Sequence, residues 1–592
     1  MRRAWCLILA VTYFASCSEG REPPRDDPAC EGETCEPCEP ETDVQLCAAQ
    51  GAFCGSIEVV DSCGEMRVAH CGACQEGFVC EKHRCEKDPE APQEPGERSF
   101  WGCRLVPPEG QCRDLFTLER CVQEGEEERY VVQRCKAGMI CTQTAEGASC
   151  ESLGGACAPY MSFCTSDGHL RFCHDGQFVD ISCEYGCTTG WAEARCRTAF
   201  GGTVLHRGQV HYEHRVFKKA DDGKWTWVEK RPAAGLYVLS LQGADVFLDQ
   251  AVVGEDGTFE VLVPKEPTAD HRLIFMAVRS VLGGPTVGVV DPDLPPGTYP
   301  LLQTGDEPRY WSWEKSSHGD EPIVITERQG SVAVQIFQGL RQHVWLAALH
   351  RGLDIPDLHA WFGMGVTWDC GACFYPASWQ SAGAAGIAFL SSGEIEAASN
   401  DFVIFHESGH YIYDTLGPFY SEGGIHCVGV PTYPGQALNE GLATWNASIL
   451  LKDPVNVRSS FGTYFYVDLE RMAPREYFAP PDPRESPYQK VNETWVSATA
   501  WKMAKAVRSA HPIYAALYRP EMRPPFRSGY TARQWWSVDE YCLPQDVMTT
   551  DVPTATLVEM LDALVCSGFP AEHVRELVSQ HFPYDPDEAV CK

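Results

Sequence analysis

The stretch that decides the reading runs Asn400-Asp401-Phe402-Val403-Ile404-Phe405-His406-Glu407-Ser408-Gly409-His410-Tyr411-Ile412-Tyr413-Asp414-Thr415-Leu416-Gly417-Pro418. Phe402, Phe405, Gly409, Ile412 and Leu416 recur at intervals of three and four, the period of one helix face. Asn400 or Asp401 can cap the start and Gly417-Pro418 supplies a stop, so a helix is predicted over 400–416. Within it, His406-Glu407-Ser408-Gly409-His410 forms an H-E-x-x-H motif. Side chains four apart on a helix are neighbours, with Cβ atoms about 5–6 Å apart. Both imidazoles therefore leave one face, and a single tetrahedral ion can reach both.

Zinc at a catalytic site takes three protein ligands and leaves the fourth position to water, so a third donor is required. Glu440, in Ala437-Leu438-Asn439-Glu440-Gly441-Leu442-Ala443-Thr444, is separated from His410 by 29 residues. Leu438, Leu442, Trp445 and Ile449 make a large apolar stripe on a second predicted helix, while Ala443, Ala447 and Thr444 make a small-residue face around Glu440. Glu440 is the only charged side chain from Pro434 to Leu450. An isolated carboxylate in such a setting is costly to bury unless something positive meets it. His426, in the Gly/Pro/Tyr-rich loop between the two helices, could be a ligand in place of Glu440, but a lone His in such a loop is usually only a loop residue.

H-E-x-x-H on one helix and a glutamate in an N-E-G-x-A setting on a later one resemble the gluzincin metallopeptidases, over roughly Asp401 to Trp445. The resemblance implies one Zn2+ per chain held by His406, His410 and Glu440. It also implies a peptide or protein substrate, and Glu407 as the general base that takes a proton from the attacking water and passes it to the leaving amine. The family commonly places a Tyr or His downstream of the third ligand to stabilise the oxyanion. Tyr464, Tyr466, Tyr488 and His511 are the candidates, each also readable as an ordinary amphipathic core residue. Asp414, four residues after His410, either orients a ligand imidazole or is a solvated acid at a helix end. By the same likeness the predicted strand Ala385 to Leu390 forms a cleft edge that pairs with an extended peptide. Rival readings are a surface adhesion or binding lipoprotein with a degenerate zinc domain, and a zinc hydrolase acting on a non-peptide bond. Intact His406, Glu407 and His410 oppose the first, because a dead scaffold has no physical need of Glu407.

Working outward, the fold class is multidomain: disulfide-rich small modules, then a β-sandwich, then an α-rich α+β zinc metallopeptidase domain. Residues 1–17 read as a signal peptide, with Arg2 and Arg3 ahead of the apolar run Ala4 to Phe14. Phe14-Ala15-Ser16-Cys17 resembles a lipobox, which implies lipidation at Cys17 and a membrane anchor; ordinary secretion with cleavage nearby is the alternative. An acidic, Pro-rich tether is expected over 18–46, a Cys-rich module over 47–85 and a linker over 86–99. Two Cys-rich repeats follow at 100–152 and 153–198, each with eight residues between its second and third and between its fifth and sixth cysteines. They read as a spacer or as binding modules. Strand signals such as Tyr237 to Leu241 and Thr258 to Val263 dominate a sandwich-like region at 200–318, and longer amphipathic helices fill 320–592.

Setting aside Cys6 and Cys17, 28 of the 30 cysteines remain, 22 of them between Cys30 and Cys196 and six from Cys370 onward. Even counts in an exported chain favour full disulfide pairing in each region. Zinc ribbons at Cys71-Gly-Ala-Cys74 and Cys370-Gly-Ala-Cys373 are the alternative. A net charge of −34 over 592 residues disfavours a nucleic-acid partner, which requires a basic face. The expected location is the outer membrane or cell surface as a lipoprotein, or the secreted fraction.

Overall fold

The computed structural model describes most of residues 97–592 together with short stretches between 46 and 87; residues 1–45 and, as longer internal stretches, 88–96, 219–225, 292–309, 390–396, 427–430 and 472–490 lie outside the described residues. The signal peptide, Cys17 and most of the tether and linker fall there, as does Tyr488. The chain divides into two compact units, Met1–Glu97 and Arg98–Lys592. The first contains two antiparallel hairpins, Ser56–Val60 with Met66–His70 and Phe78–Glu81 with Arg84–Lys87. Asp61 closes the turn of the former by accepting from the amides of Cys63 and Glu65, both at 3.0 Å.

In the second unit the two Cys-rich repeats share one disulfide connectivity. Cys103–Cys121, Cys112–Cys141 and Cys135–Cys150 pair first with third, second with fifth and fourth with sixth, and so do Cys157–Cys173, Cys164–Cys187 and Cys183–Cys196. Cys566–Cys591 closes the C-terminus. Cys373 is disulfide-bonded, which removes it from the zinc-ribbon alternative. This many disulfides is consistent with an extracellular protein. Among the described residues no helix is long and apolar enough to cross a membrane.

Three sheets and six helices among the described residues position the site. β1 (Thr203–Phe217), β2 (Thr226–Pro232) and β5 (Thr258–Pro264) form one sheet in the order β2-β1-β5, with β10 (Ile323–Ile325) parallel to β1. β3 (Tyr237–Gln242), β4 (Val246–Val252), β6 (His271–Met276) and β9 (Ser312–Lys315) form a second, ordered β4-β3-β6-β9. Alternate residues such as Val261 and Val263 on β5 and Leu273 and Phe275 on β6 turn into one core, as half-buried strands require. The third sheet departs from the expected boundary at 318/320. β7 (Val278–Ser280) and β8 (Thr286–Val290) join β11 (Leu358–Trp361), β12 (Ala372–Tyr375) and β13 (Ala385–Phe389) in the order β7-β8-β11-β13-β12. Pairing of β8 with β11 and of β11 with β13 is parallel. The sandwich region and the helical region thus share a sheet and a continuous core.

The helices are α1 (Ser331–Arg351), α2 (Asp401–Leu416), α3 (Pro434–Leu451), α4 (Glu493–Ala506), α5 (His511–Leu517) and α6 (Leu557–Cys566). Asn400 caps α2 by accepting from the Phe402 amide at 3.0 Å, an arrangement worth about 1 kcal/mol. Two glycines let helices approach closely. A Cβ added to Gly409 of α2 would lie 3.1 Å from Ala443 Cα of α3, and one added to Gly441 of α3 would lie 2.6 Å from Val496 Cβ of α4. Fully buried Asn446 then ties four helices: Nδ2 donates to His343 Nε2 of α1 at 2.8 Å and to Phe405 O of α2 at 3.2 Å, and Oδ1 accepts from Tyr514 of α5 at 2.8 Å. Its burial also removes the Asn446 sequon from any glycosylating surface.

The first Cys-rich repeat is part of this body and no spacer. Leu115 N donates to Trp345 O at 3.3 Å, the Arg134 guanidinium lies 4.2 Å from the Trp345 ring centre, and buried Glu119 accepts from Lys452 Nζ, at the C-cap of α3, at 2.8 Å. The second repeat seats on the sandwich through Arg197, which donates to Asp249 Oδ2 at 3.0 Å and to Glu260 O at 2.9 Å.

Gly441→Ala is expected to destabilise the fold by about 1–3 kcal/mol through overpacking against α4, read as a lowered denaturant midpoint with an unchanged slope. Acid stability is expected to depend on His343. Burial holds that ring's pKa down to about 4, and in its neutral form Nδ1 donates to Gly339 O at 2.7 Å while Nε2 accepts from Asn446. The unfolded chain binds the proton more readily, so this contribution is present above the ordinary histidine pKa of about 6.5 and is lost as pH falls from there toward 4. Thermal midpoints across that window should fall less steeply for His343→Gln than for the wild type.

Candidate metal centre

The centre is built where α2 meets α3. On α2 the four-residue spacing sends the His406 and His410 rings from one face, and on α3 Glu440 meets them. Glu440 Oε2 lies 3.1 Å from His406 Nε2 and 3.4 Å from His410 Nε2. One donor atom from each of the three residues falls within 4.8 Å of the others, and all three residues are buried. The cluster can hold a metal ion. Two imidazoles and one carboxylate are a donor set that suits a divalent transition metal and leaves a position open.

The rings are oriented from α3 itself. His406 Nδ1 bonds Thr444 Oγ1 at 3.1 Å, and His410 Nδ1 bonds Asn439 Oδ1. Asn439 Oδ1 accepts the Nδ1 proton of His410, and each Nε2 faces Glu440 Oε2 as a hydrogen-bond partner, the position at which a bound metal would replace the Nε2 proton. Six consecutive residues of α3 therefore supply the third donor and both orienting groups. Sequence reading placed Thr444 only on a small-residue face and gave Asn439 no role; the usable signal was their position one before and four after Glu440 on a helix.

Electrostatics follow the geometry. Burial favours neutral His410, but the carboxylates of Glu440 and then Glu407, with Asn439, outweigh it and push the ring up to about 9. Burial likewise favours a neutral Glu440, yet the His426, His410 and His406 rings hold it well below the usual carboxylate range. Glu407 is buried beside them on α2.

His426, read as a loop residue or substitute ligand, comes to the centre: its Nε2 lies 3.2 Å from Glu440 Oε2 and its Nδ1 2.6 Å from Glu493 Oε2. No periodic pattern marks it, because it stands on irregular backbone. Other candidates go elsewhere. Asp414 accepts from the Ala377 amide at 3.4 Å, and the acceptor on His410 is Asn439, so Asp414 does not orient that imidazole. The His511 ring stacks on His350 at 5.0 Å, beside Leu450 near the C-terminal end of α3. Leu450 is ten residues from Glu440, about 15 Å along a helix axis. Tyr464 and Tyr466 stand on the hairpin Val455–Ser460/Thr463–Asp468, where Tyr466 is 43% exposed. That hairpin is tied by Asn400 Nδ2 to Val457 O at 2.9 Å, at the start of α2 and about 9 Å along the axis before His406. The expected cleft edge is also corrected. β13 is flanked by β11 and β12, so among the described residues the end strand is β12, whose Phe374 ring stacks on His410 at 5.9 Å.

No protein-family model matches this chain, and no curated protein matches it. The expected outcome at the site itself is that His406→Ala abolishes stoichiometric binding of a divalent transition metal in a chelator competition. Asn439→Ala and Thr444→Val should each weaken it by about 10–100-fold, as loss of ligand-orienting partners does elsewhere.

Proposed function

We propose that the chain is an exported zinc-dependent metallopeptidase of the gluzincin kind, with His406, His410 and Glu440 as the zinc ligands and Glu407 as the general base. The observation that carries this reading is the convergence of both H-E-x-x-H imidazoles on the Glu440 carboxylate, within 4.8 Å and buried. When bound, zinc supplies Lewis acidity that polarises a carbonyl and brings water's ionisation toward neutral pH.

The chain's own residues do the rest. Thr444 and Asn439 keep His406 and His410 in the tautomer that presents Nε2. Glu407, adjacent to one ligand and close enough to His410 to influence its charge, takes the proton from the attacking water and delivers it to the leaving amine. Burial around the cluster limits bulk water and strengthens these interactions. A peptide substrate is favoured over other acyl compounds because the end strand β12 runs past His410 with Phe374 on the ring, where an extended backbone can add to the sheet. Lipidation at Cys17 would tether the enzyme to the outer membrane or cell surface.

Purified protein is expected to retain zinc and lose about 10²–10⁴-fold in cleavage of casein or a fluorogenic peptide library on Glu407→Gln. Equal activity in the two proteins would remove the base assignment, and a zinc-loaded wild type inert toward peptides but active on esters would move the substrate to a non-peptide bond.

A further inference from the structure

We infer that His426, braced by Glu493, is a positioning residue that sets the direction of the Glu440 carboxylate; this rests on the metal-site reading above. A glutamate's terminal torsion is broad and roughly two-fold, so helix geometry delivers the Glu440 carbon and leaves the direction of its oxygens to whatever donors surround them. His406 and His410 approach Oε2 from α2, and both are committed to the metal. His426 approaches the same oxygen at 3.2 Å from outside the helix pair.

Three features make that approach rigid. First, a buried carboxylate stands at the far side of the ring, with Nδ1 2.6 Å from Glu493 Oε2 as an ion-pair contact, and Glu493 is 3% exposed in the first turn of α4. Second, the helices that carry the two carboxylates are locked together, because Gly441, next to Glu440, packs so closely on α4 that an added Cβ would lie 2.7 Å from Glu493 O. Third, described residues that precede His426 are tied to the start of α3 and to the segment before α6: Gln436 Nε2 donates to Gly423 O at 2.9 Å, and Thr554 Oγ1 donates to Tyr420 O. An imidazole with a carboxylate oxygen at each nitrogen loses both partners if it rotates. The mutually close donor set is His406, His410 and Glu440, and His426 reaches it through Glu440. Its role is therefore to aim a ligand and not to be one.

The test uses the full-length protein and zinc and cobalt as probes, with affinity read by chelator competition and coordination read from the visible spectrum of the cobalt form. His426→Ala and Glu493→Gln should each weaken zinc binding about 10–100-fold. The double variant should bind no more weakly than His426→Ala alone, because the two act in series. Cobalt bands should shift without a change of intensity class, and the thermal midpoint of the metal-free Glu493→Gln protein should match the wild type. His426→Gln, which restores a donor, should recover part of the affinity. Unchanged zinc affinity in His426→Ala would overturn the inference. So would a loss as large as that of His406→Ala with a new cobalt intensity class, which would make His426 a ligand. A wild type that binds no zinc would instead sink the underlying site, so the two failures are separable.

Discussion

A carboxylate buried between helices must be met by positive charge, and the architecture of the helical region turns on how Glu440 is met. Three imidazole nitrogens converge on its Oε2, at 3.1, 3.4 and 3.2 Å. That convergence needs α2 and α3 closer than ordinary side chains allow, which is why Gly409 faces Ala443 at a distance that leaves no room for a methyl group to sit at ease. It also needs the rings held in rotation, which Thr444 and Asn439 provide from the same helix as Glu440. Losing any of these would leave an ion in a poorly solvated place with imperfect partners, and such defects cost several kcal/mol.

Holding a three-donor site to within about 0.5 Å demands rigid supports on every element that carries a donor. α2 is anchored at its first residue: Asp401 accepts from Gln335 Nε2 at 2.8 Å and faces His214 Nε2 at 3.0 Å, linking it to α1 and β1. α3 is anchored at both ends, by the Gln436 bond to Gly423 at one and by Lys452 and Glu119 at the other. Lys452 takes a left-handed backbone conformation, φ 53°, to end the helix and deliver its amine to that buried acid. The sandwich and the first Cys-rich repeat thus act on the site through helix ends.

What the sequence disclosed, and what it hid, follows from range. α2 and α3 announce themselves because apolar residues at three- and four-residue spacing, and for α2 the capping residue Asn400, act within a few residues of each other. The lone acid Glu440 among apolar neighbours pointed to a buried partner by the same local logic. Parallel pairing of β8 with β11 joins segments about seventy residues apart, and nothing in either strand names the other. Hence the boundary drawn between sandwich and helical region fell through the middle of a sheet. Asp414 shows a second limit. Helical spacing puts it next to His410, yet a ring has two nitrogens, and the acceptor that wins comes from the opposing helix, where Asn439 already stands.

The Cys-rich repeats sharpen the point about support. Modules of roughly fifty residues bury too little apolar surface to be stiff by packing alone, and cross-links make up the difference. With the same three-disulfide connectivity in each, one repeat seats Glu119 on Lys452 against the helices and the other seats Arg197 on Asp249 against the sandwich. Both ion pairs are nearly excluded from solvent, with side-chain exposures of 9% and 1% in the first and 8% and 3% in the second. A buried ion pair repays its desolvation only when its geometry is well kept, so a loosely tethered stalk would gain nothing by making one. The repeats are therefore better understood as cross-linked wedges, whose stiffness lets a charged contact be buried where it fixes a helix end or a sheet edge.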